Sequence, residues 1–278
     1  MNKEKLFLIT GVSSGLGRAF ASAALSAGHL VVGTLRDENA RKNFESEKPG
    51  YAKGIVLDVT DFDAIDPAVD EIERRIGPIS VLVNNAGYGH EGVIEESPLT
   101  ELRRQFEVNV FGAVAVMKAV LPFMRERRAG HIINVTSMGG YITMPGIGYY
   151  CGSKFALEAI SETLSKEVKE FGIRVSAIAP GQFRTDWAGR SMIRTDRTIS
   201  DYDQLMDPVR KARQDKSGKQ PGDPAKAAQV LLQIIDAPNP PTHLLLGDDA
   251  LKFVREKLQS LNSEFDRWEN VTRSTDFA

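Results

Sequence analysis

The stretch LFLITGVSSGLGR, residues 6–18, decides the fold of this 278-residue chain. A short apolar run enters a glycine-rich turn, and an alanine-rich segment with helical character follows. Gly11 permits the tight turn, Gly15 lets the backbone approach a bound anion, and Gly17 allows close packing of helix on strand. The N-terminus of that helix presents N–H groups and a partial positive charge. The turn is therefore predicted to bind a pyrophosphate through Gly11, Ser13, Ser14, Gly15, Leu16 and Gly17.

Further apolar runs follow, separated by segments in which apolar residues recur every three or four positions. Most runs are apolar on consecutive residues, as expected of strands that are buried on both faces. This alternation predicts an α/β fold with one doubly wound parallel sheet of about seven strands and helices on both faces. In that context a phosphate-binding turn is favoured over an ordinary flexible turn. The predicted strands are residues 6–10, 30–34, 55–58, 81–84, 131–136, 173–179 and 243–246.

The whole chain, residues 1–278, is predicted to form a single domain, since its length suits one large α/β domain. Residues 186–223 are polar, charged and irregular, yet they include Trp187 and Met192. We expect this segment to form an inserted substrate lid. The polar tail, residues 264–278, is predicted to be disordered.

The composition indicates a soluble globular protein, with 42% hydrophobic residues, 26% charged residues and a net charge of −2. A charge so close to zero gives no electrostatic reason to expect nucleic acid or a membrane surface as a partner. Cys151 is the single cysteine, which excludes an intramolecular disulfide and suits a reducing compartment. No signal peptide, membrane span or metal-ligand cluster is apparent, so we expect a cytoplasmic protein without a metal.

Tyr150 and Lys154 are four positions apart, which places them on one face of a helix. A nearby ammonium group favours the tyrosinate and so lowers a pKa that is normally about 10. Ser137 follows a predicted strand, and ligands bind at the carboxyl ends of strands in such sheets. The alternatives are a surface pair, a helix-capping serine, or the use of Tyr149 or Thr136 instead.

Asn109 lies in the apolar helical segment of residues 102–124. A buried amide needs hydrogen-bond partners, so Asn109 is either a locally satisfied core residue or a member of a polar site.

These motifs, in this order and at this spacing, resemble those of the short-chain dehydrogenase/reductase family. They are T-G-x-x-x-G-x-G from Thr10, N-N-A-G from Asn84, Asn109, Ser137, Y-x-x-x-K from Tyr150 and P-G-x-F-x-T from Pro180. Phe183 stands in the last motif where the family usually has valine. Residues 34–37 and 150–157 look most like the branch that holds 17β-hydroxysteroid and retinol dehydrogenases.

The resemblance implies a Rossmann fold with a catalytic tetrad of Asn109, Ser137, Tyr150 and Lys154. Ser137 and Tyr150 would hold the substrate oxygen, and Asn109 would position a relay water. Lys154 would bind ribose and, together with the positive ring of the nicotinamide, lower the pKa of Tyr150. A turn or helix-cap role is the alternative for Asp58. The cofactor contacts implied are Asp58, Val59, Asn85, Ala86, Gly87, Tyr150, Lys154, Pro180, Gly181, Phe183 and Thr185.

The choice between NADP and NAD depends on the residues that follow the second strand. Rossmann proteins that prefer NAD place an acidic residue there to bind the ribose 2′-hydroxyl, and by comparison with the family this position falls at Leu35. The adjacent Arg36 can clamp a 2′-phosphate through bidentate, charge-assisted hydrogen bonds. NADP is therefore predicted. The alternative is NAD, with Asp37 on the ribose and Arg36 as a solvated charge.

The predicted function is hydride transfer between NADP and a carbonyl or alcohol substrate. The tetrad argues against a non-catalytic NADP-binding sensor or scaffold on the same fold, and related epimerases and dehydratases usually have a larger substrate domain. Family members commonly pair through two helices, so a homodimer or homotetramer is expected through residues 102–124 and 151–171. A largely apolar substrate pocket is expected from Met138, Tyr141, Ile142, Met144 and Trp187.

Overall fold

The protein is a parallel sheet between two layers of helices in this computed structural model, which describes residues 4–189 and 191–277. Residues 1–3, 190 and 278, which belong to the predicted domain, lid and tail, lie outside the described residues. The strands are β1 (Leu6–Ile9), β2 (Leu30–Leu35), β3 (Ala52–Val56), β4 (Ile79–Asn84), β5 (Gly89–Glu91), β6 (Gly130–Val135), β7 (Ile173–Pro180), β8 (Met192–Arg194) and β9 (His243–Leu246).

Seven of these strands form the main sheet in the order β3-β2-β1-β4-β6-β7-β9, and every neighbouring pair is parallel. The predicted α/β class and the seven-stranded parallel sheet are confirmed. β3 begins at Ala52, before the predicted residue 55, because an edge strand accommodates a solvent-facing residue such as Lys53. The short strands β5 and β8, which pair with each other, were not predicted.

Helices cover both faces of the sheet, which explains why the strands are apolar on consecutive residues. In β1, Phe7 and Ile9 join the core beneath one helix layer, and Leu6 and Leu8 join the core beneath the other. A π-helical turn, Glu107–Gly112, separates the fourth and fifth helices. The α-helices are α1 (Gly15–Ser26), α2 (Glu38–Glu45), α3 (Phe62–Arg75), α4 (Leu99–Phe106), α5 (Ala113–Arg127), α6 (Gly148–Glu167), α7 (Asp203–Lys216), α8 (Pro224–Asp236) and α9 (Asp248–Arg273).

The predicted disorder of the tail is wrong for most of its length, because α9 continues to Arg273. The tail is polar on average, but Phe265 and Trp268 continue an apolar row with helical spacing that begins earlier in α9. Average polarity concealed this periodicity.

The expected lid, residues 186–223, contains more regular structure than its sequence suggested. β8 and α7 both lie within it. Met206 of α7 is fully buried, and Arg213 donates a hydrogen bond to the Pro145 carbonyl oxygen at 2.7 Å. Arg213 also lies 3.3 Å from the buried carboxylate of Glu91. These contacts fasten the lid to the loop that precedes α6.

Among the described residues, the helical run Leu99–Arg127 is the one segment long and apolar enough to cross a membrane by those two criteria. Val116, Val120 and Met124 of this run are buried in the core beneath the sheet, and that packing accounts for its apolar character.

Phe20 of α1 is fully buried in one core layer, so Phe20→Ala is expected to lower the free energy of unfolding by about 3–5 kcal/mol. Phe62, at the start of α3, is 43% exposed. The matched control Phe62→Ala should change the same quantity by less than about 1 kcal/mol. Urea unfolding followed by circular dichroism measures both, and equal losses would contradict this assignment of the core.

Candidate active site

The glycine turn after β1 forms a cradle for an anion at the carboxyl edge of the sheet. Gly11 (φ 72°) and Gly15 (φ 60°) adopt left-handed backbone conformations that favour glycine. The N-cap residue of α1, Ser14, makes no side-chain capping bond, and the first turn has no acidic residue. The first N–H groups of α1 therefore have no capping side chain, and no carboxylate in that turn offsets the positive end of the helix dipole.

Asn85 fastens this cradle to the end of β4. Its Nδ2 donates to the carbonyl oxygens of Thr10 and Gly11, at 3.0 Å each. The Thr10 hydroxyl accepts hydrogen bonds from the backbone N–H groups of Asn85 and Ala86, also at 3.0 Å. A Cβ atom on Gly17 would lie 2.3 Å from Asn85 Nδ2, so glycine is needed for α1 to start this close. Asn85, identified from sequence as a cofactor contact, thus also builds the cradle.

The end of β2 separates the two candidates for contact with the ribose. Leu35 is buried, and Asp37 caps α2 by accepting a hydrogen bond from the Ala40 N–H at 2.8 Å. Arg36 is exposed and has no hydrogen-bond or ion-pair partner in residues 4–189 and 191–277. The carboxylate is therefore already engaged, whereas the guanidinium is free to meet a ligand.

Asp58 has the turn role that sequence analysis left open. Its carboxylate accepts hydrogen bonds from the Thr60 N–H at 2.9 Å and from the Thr60 hydroxyl at 2.7 Å. Asp58 and the buried Val59 nevertheless line the same cavity as the glycine turn. The turn role therefore does not remove Asp58 from the wall of that cavity.

One cavity of about 1490 Å³ joins the cradle to the proposed catalytic residues. All the predicted cofactor-binding and catalytic residues line this cavity except Gly17 and Asn109. Gly17 packs against Asn85, and Asn109 lies behind Gly87. Those on the wall are Gly11, Ser13, Ser14, Gly15, Leu16, Leu35, Arg36, Asp58, Val59, Asn85, Ala86, Gly87, Ser137, Tyr150, Lys154, Pro180, Gly181, Phe183 and Thr185.

Ser137, Tyr150 and Lys154 meet on one side of this cavity. Ser137 follows β6, and its Oγ accepts a hydrogen bond from the Gly139 N–H at 3.0 Å. Tyr150 is its neighbour, because a Cβ atom on Gly139 would lie 3.4 Å from Ser137 Oγ and 3.3 Å from Tyr150 Cε1. Lys154 Nζ donates to the Val135 carbonyl oxygen at 2.9 Å and lies 5.9 Å from the centroid of the Tyr150 ring.

The sequence matches the family model for short chain dehydrogenases over residues 5–195. The chain belongs to the short-chain dehydrogenase family. It is similar to a short-chain dehydrogenase from Streptomyces avermitilis, whose crystal structure shares 40% identity, covers 100% of both chains and superposes with a TM-score of 0.92. It is also 36% identical to a 3-ketodihydrosphingosine reductase of Bacteroides thetaiotaomicron over 246 residues, and the aligned region covers 88% of each chain. A short chain dehydrogenase/reductase from Burkholderia phymatum, solved in complex with NAD, is 25% identical, covers 94% of this chain and 95% of that chain, and has a TM-score of 0.82.

As a short-chain dehydrogenase, the chain is an NAD(P)-dependent oxidoreductase. The uncapped start of α1, the left-handed glycines and the free guanidinium of Arg36 fit a dinucleotide that spans the cavity. The branch within the family stays a prediction.

Burial acts on the pKa values of both Tyr150 and Lys154. Burial raises the pKa of Tyr150, and the neighbouring Ser137 hydroxyl opposes that shift only in part. Burial also lowers the pKa of Lys154 to about 8, against the opposing influence of Glu158. The lowering expected from Lys154 together with a bound nicotinamide ring stays a prediction. Tyr150 holds its proton at neutral pH, as a general acid must.

Asn109 has the contacts of a locally satisfied core asparagine. It lies in the π-helical turn Glu107–Gly112, a feature that often occurs at functional sites and that was not predicted. Its Nδ2 donates to the Tyr88 carbonyl oxygen and to Ser153 Oγ, each at 3.1 Å. Its Oδ1 accepts from the Tyr88 N–H at 3.1 Å. Asn109 thus holds the chain that leaves the N-N-A-G motif, and its role in a water relay stays a prediction.

The alternatives to Tyr150 and Ser137 point elsewhere. The Tyr149 hydroxyl donates to the Ser97 carbonyl oxygen at 2.8 Å. The Thr136 hydroxyl is bonded to the carboxylate of Glu158 and lies 2.9 Å from the Ile178 carbonyl oxygen. These contacts use both hydroxyl groups within the protein.

Glu158 is a buried residue of this region that sequence analysis did not identify. Its carboxylate accepts hydrogen bonds from the hydroxyl groups of Thr136 and Tyr141, the latter at 2.8 Å, and lies 2.9 Å from His243 Nδ1. The sequence contains one signal that points to Glu158: it lies four positions after Lys154 and therefore on the same face of α6. Tyr141 was expected in the substrate pocket, but its hydroxyl is bonded to this carboxylate instead.

Glu158→Gln is expected to lower the free energy of unfolding by about 1–3 kcal/mol, because a buried acceptor with several partners is replaced by an amide. Glu162 is one turn further along α6 and half-buried, with ion pairs to Lys166 and, at 3.6 Å, to His243 Nε2. Glu162→Gln should change the free energy by less than about 1 kcal/mol. Thermal and urea unfolding compare the two variants, and similar losses would show that the Glu158 contacts are not stabilising.

Proposed function

We propose that this protein is an NADP-dependent oxidoreductase that reduces a carbonyl substrate, and oxidises the corresponding alcohol, at Ser137 and Tyr150. The observation that carries the proposal is that Ser137 and Tyr150 lie side by side on the wall of the cavity that also holds the glycine turn, where a Cβ atom on Gly139 would be 3.4 Å from Ser137 Oγ and 3.3 Å from Tyr150 Cε1. Hydroxyl groups on two neighbouring side chains that face one cavity can converge on one carbonyl oxygen. Much of the rate acceleration is then alignment of the hydride donor with the acceptor carbon.

The bound nicotinamide supplies the hydride that adds to the carbonyl carbon. Ser137 donates a hydrogen bond to the carbonyl oxygen, and Tyr150 donates a hydrogen bond and then its proton. The product is an alcohol, and Tyr150 is left as a tyrosinate. Lys154, with a pKa of about 8, is charged enough at neutral pH to stabilise that tyrosinate and to help return its proton. The proposed part of Asn109 is to hold the relay water that connects Lys154 to solvent.

Preference for NADP is proposed from the contacts of residues 35–37. Arg36 lies on the cavity wall at the end of β2, and its guanidinium has no partner among the described residues. The Asp37 carboxylate instead accepts the hydrogen bond that caps α2. A 2′-phosphate offers Arg36 two charge-assisted hydrogen bonds, whereas a 2′-hydroxyl offers it none of comparable strength. NAD stays the alternative.

The substrate is proposed to have a largely apolar body. Of the predicted pocket residues, Met138, Met144 and Trp187 line the cavity, while Ile142 packs against α9 instead. Further apolar side chains come from the lid, where Ile193 and Val209 reach the wall. Similarity to a 3-ketodihydrosphingosine reductase supports a ketone as the reacting group.

A homodimer or homotetramer in the cytoplasm remains our proposal for the assembled protein. Phe111 is 50% exposed and Phe155 of α6 is 40% exposed, so the expected pairing helices carry apolar side chains on their outer faces. The rival function, a non-catalytic sensor, has no need of a buried tyrosine and lysine beside the cofactor cavity.

Tyr150→Phe should reduce kcat for an NADPH-dependent ketone reduction at least about a thousandfold, because the variant lacks only the proton donor. Its affinity for NADPH should stay within about threefold of the wild type. Tyr149→Phe is the matched control and should retain turnover, since its hydroxyl contacts Ser97. Turnover of Tyr150→Phe within tenfold of the wild type would reject Tyr150 as the acid.

Arg36→Asp should weaken binding of NADPH by about tenfold to a hundredfold, the equivalent of about 1.5–3 kcal/mol for a lost charge-assisted hydrogen bond. Binding of NADH should change much less. Asp37→Asn is the control: it should leave the ratio of kcat/KM for the two cofactors unchanged and preserve the α2 cap, because asparagine caps a helix as well as aspartate does. A ratio that responds to Asp37→Asn and not to Arg36→Asp would assign the ribose contact to Asp37.

A further inference from the structure

The last helix, α9, is much longer than its contact with the rest of the protein. Its 26 residues span about 39 Å. Ala250 and Val254 are its buried residues, and they pack with Met138 and Ile142 of the loop after β6. Asp249 accepts a hydrogen bond from the Gln182 N–H at 2.8 Å. The first two turns of α9 thus brace the segments that follow β6 and β7, while the later turns project into solvent.

The projecting turns carry an apolar row that has no cover. The row alternates steps of three and four residues, which is the heptad spacing of a two-helix seam rather than the wider stripe of a helix lying on a globular core. Leu258 is 53% exposed, Phe265 63% and Trp268 59%. An isolated helical extension is marginal in water, and such a row needs a partner. The uncovered heptad positions are Leu258, Leu261, Phe265 and Trp268, which continue the line of Leu251 and of Val254, the latter packed against the core.

We propose that the occupant of this row is the α9 helix of a second copy of the chain, paired antiparallel. α9 carries six acidic and five basic residues, so it lacks the excess of positive charge that draws an amphipathic helix to an anionic membrane. A second copy offers the same row, and a two-fold axis makes the interface self-complementary.

Charge and size select the antiparallel direction. The two-fold axis crosses the seam at the level of residue 263, although the Ser263 side chain points outward. Leu258 then faces Trp268 of the second copy and Leu261 faces its Phe265, so each layer pairs a large side chain with a smaller one. Arg255 then flanks Glu269 of the second copy at both ends of the seam.

A parallel pairing would instead set Glu264 beside Glu269 of the second copy on both sides, which is repulsive. The antiparallel arrangement has one repulsive pair, between Glu264 of the two copies. It has two attractive pairs, each between Arg255 of one copy and Glu269 of the other. The balance of flanking charges therefore favours the antiparallel arrangement.

Phe265→Glu tests the pairing, because it places a charge in the seam at a side chain that is 63% exposed and so leaves the fold intact. Light scattering on a size-exclusion column should show a particle of half the wild-type mass at micromolar concentration. Ser263→Glu, on the outer face of the same helix, should leave the mass unchanged. The mass is halved when α9 forms the sole interface and also when a second interface lies on another two-fold axis, because in each case one two-fold pairing is lost.

A cross-link tests the direction. Asn262 lies beside the two-fold axis only in the antiparallel pair, so Asn262→Cys should be captured as a covalent dimer by a short bis-maleimide. Ser263→Cys on the outer face should not be captured, and the native Cys151 is buried. A wild-type monomer, an unchanged mass for Phe265→Glu, equal capture of both cysteine variants, or binding of α9 to anionic vesicles in place of self-association would overturn the proposal.

Discussion

The hydrogen bonds between Asn85 and the end of β1 are the constraint on which the rest of the site depends. The amide occupies the carbonyl oxygens of Thr10 and Gly11, two acceptors that would otherwise repel a phosphate. The Thr10 hydroxyl in turn accepts hydrogen bonds from the backbone of Asn85 and Ala86, directly after β4. Because the ends of β1 and β4 are locked together, α1 begins against Asn85 with its N–H groups facing the cavity. A conventional helix cap at Ser14 would have closed that same surface.

A second series of buried hydrogen bonds connects the end of β4, through β6, to α6, the helix that carries Tyr150 and Lys154. Asn84 donates to Asn134 Oδ1 at 2.9 Å, and Asn134 donates to Ser161 Oγ of α6 at 2.8 Å. Lys154 reaches back from α6 to the Val135 carbonyl oxygen. Since parallel strands end at one edge, the cradle and the Ser137–Tyr150 pair face one cavity without help from a flexible loop. Burial of these groups has a chemical consequence, because it keeps Tyr150 protonated while lowering the pKa of Lys154.

Much of this arrangement could be predicted from sequence, because its signals are local. The seven strands follow from consecutive apolar residues, and the placement of Tyr150 and Lys154 on one helix face follows from their spacing. The contacts that sequence could not give depend on residues distant along the chain. Glu158 meets Thr136, Tyr141 and His243 only after the sheet has formed, and this network removes Tyr141 from the substrate pocket. The helical tail was missed because its mean polarity conceals a heptad row.

The central claim, that this cavity transfers a hydride rather than only sensing a cofactor, is tested most directly by following the hydride itself. The protein is incubated with aliphatic ketones of increasing chain length and NADPH that carries deuterium at both positions of the nicotinamide C4. Mass spectrometry of the products should show an alcohol with one deuterium on the carbinol carbon, formed from at least one apolar ketone. Saturable binding of NADPH without deuterium in any product, across ketones and aldehydes alike, would contradict the account and identify the chain as a cofactor-binding protein without this catalysis.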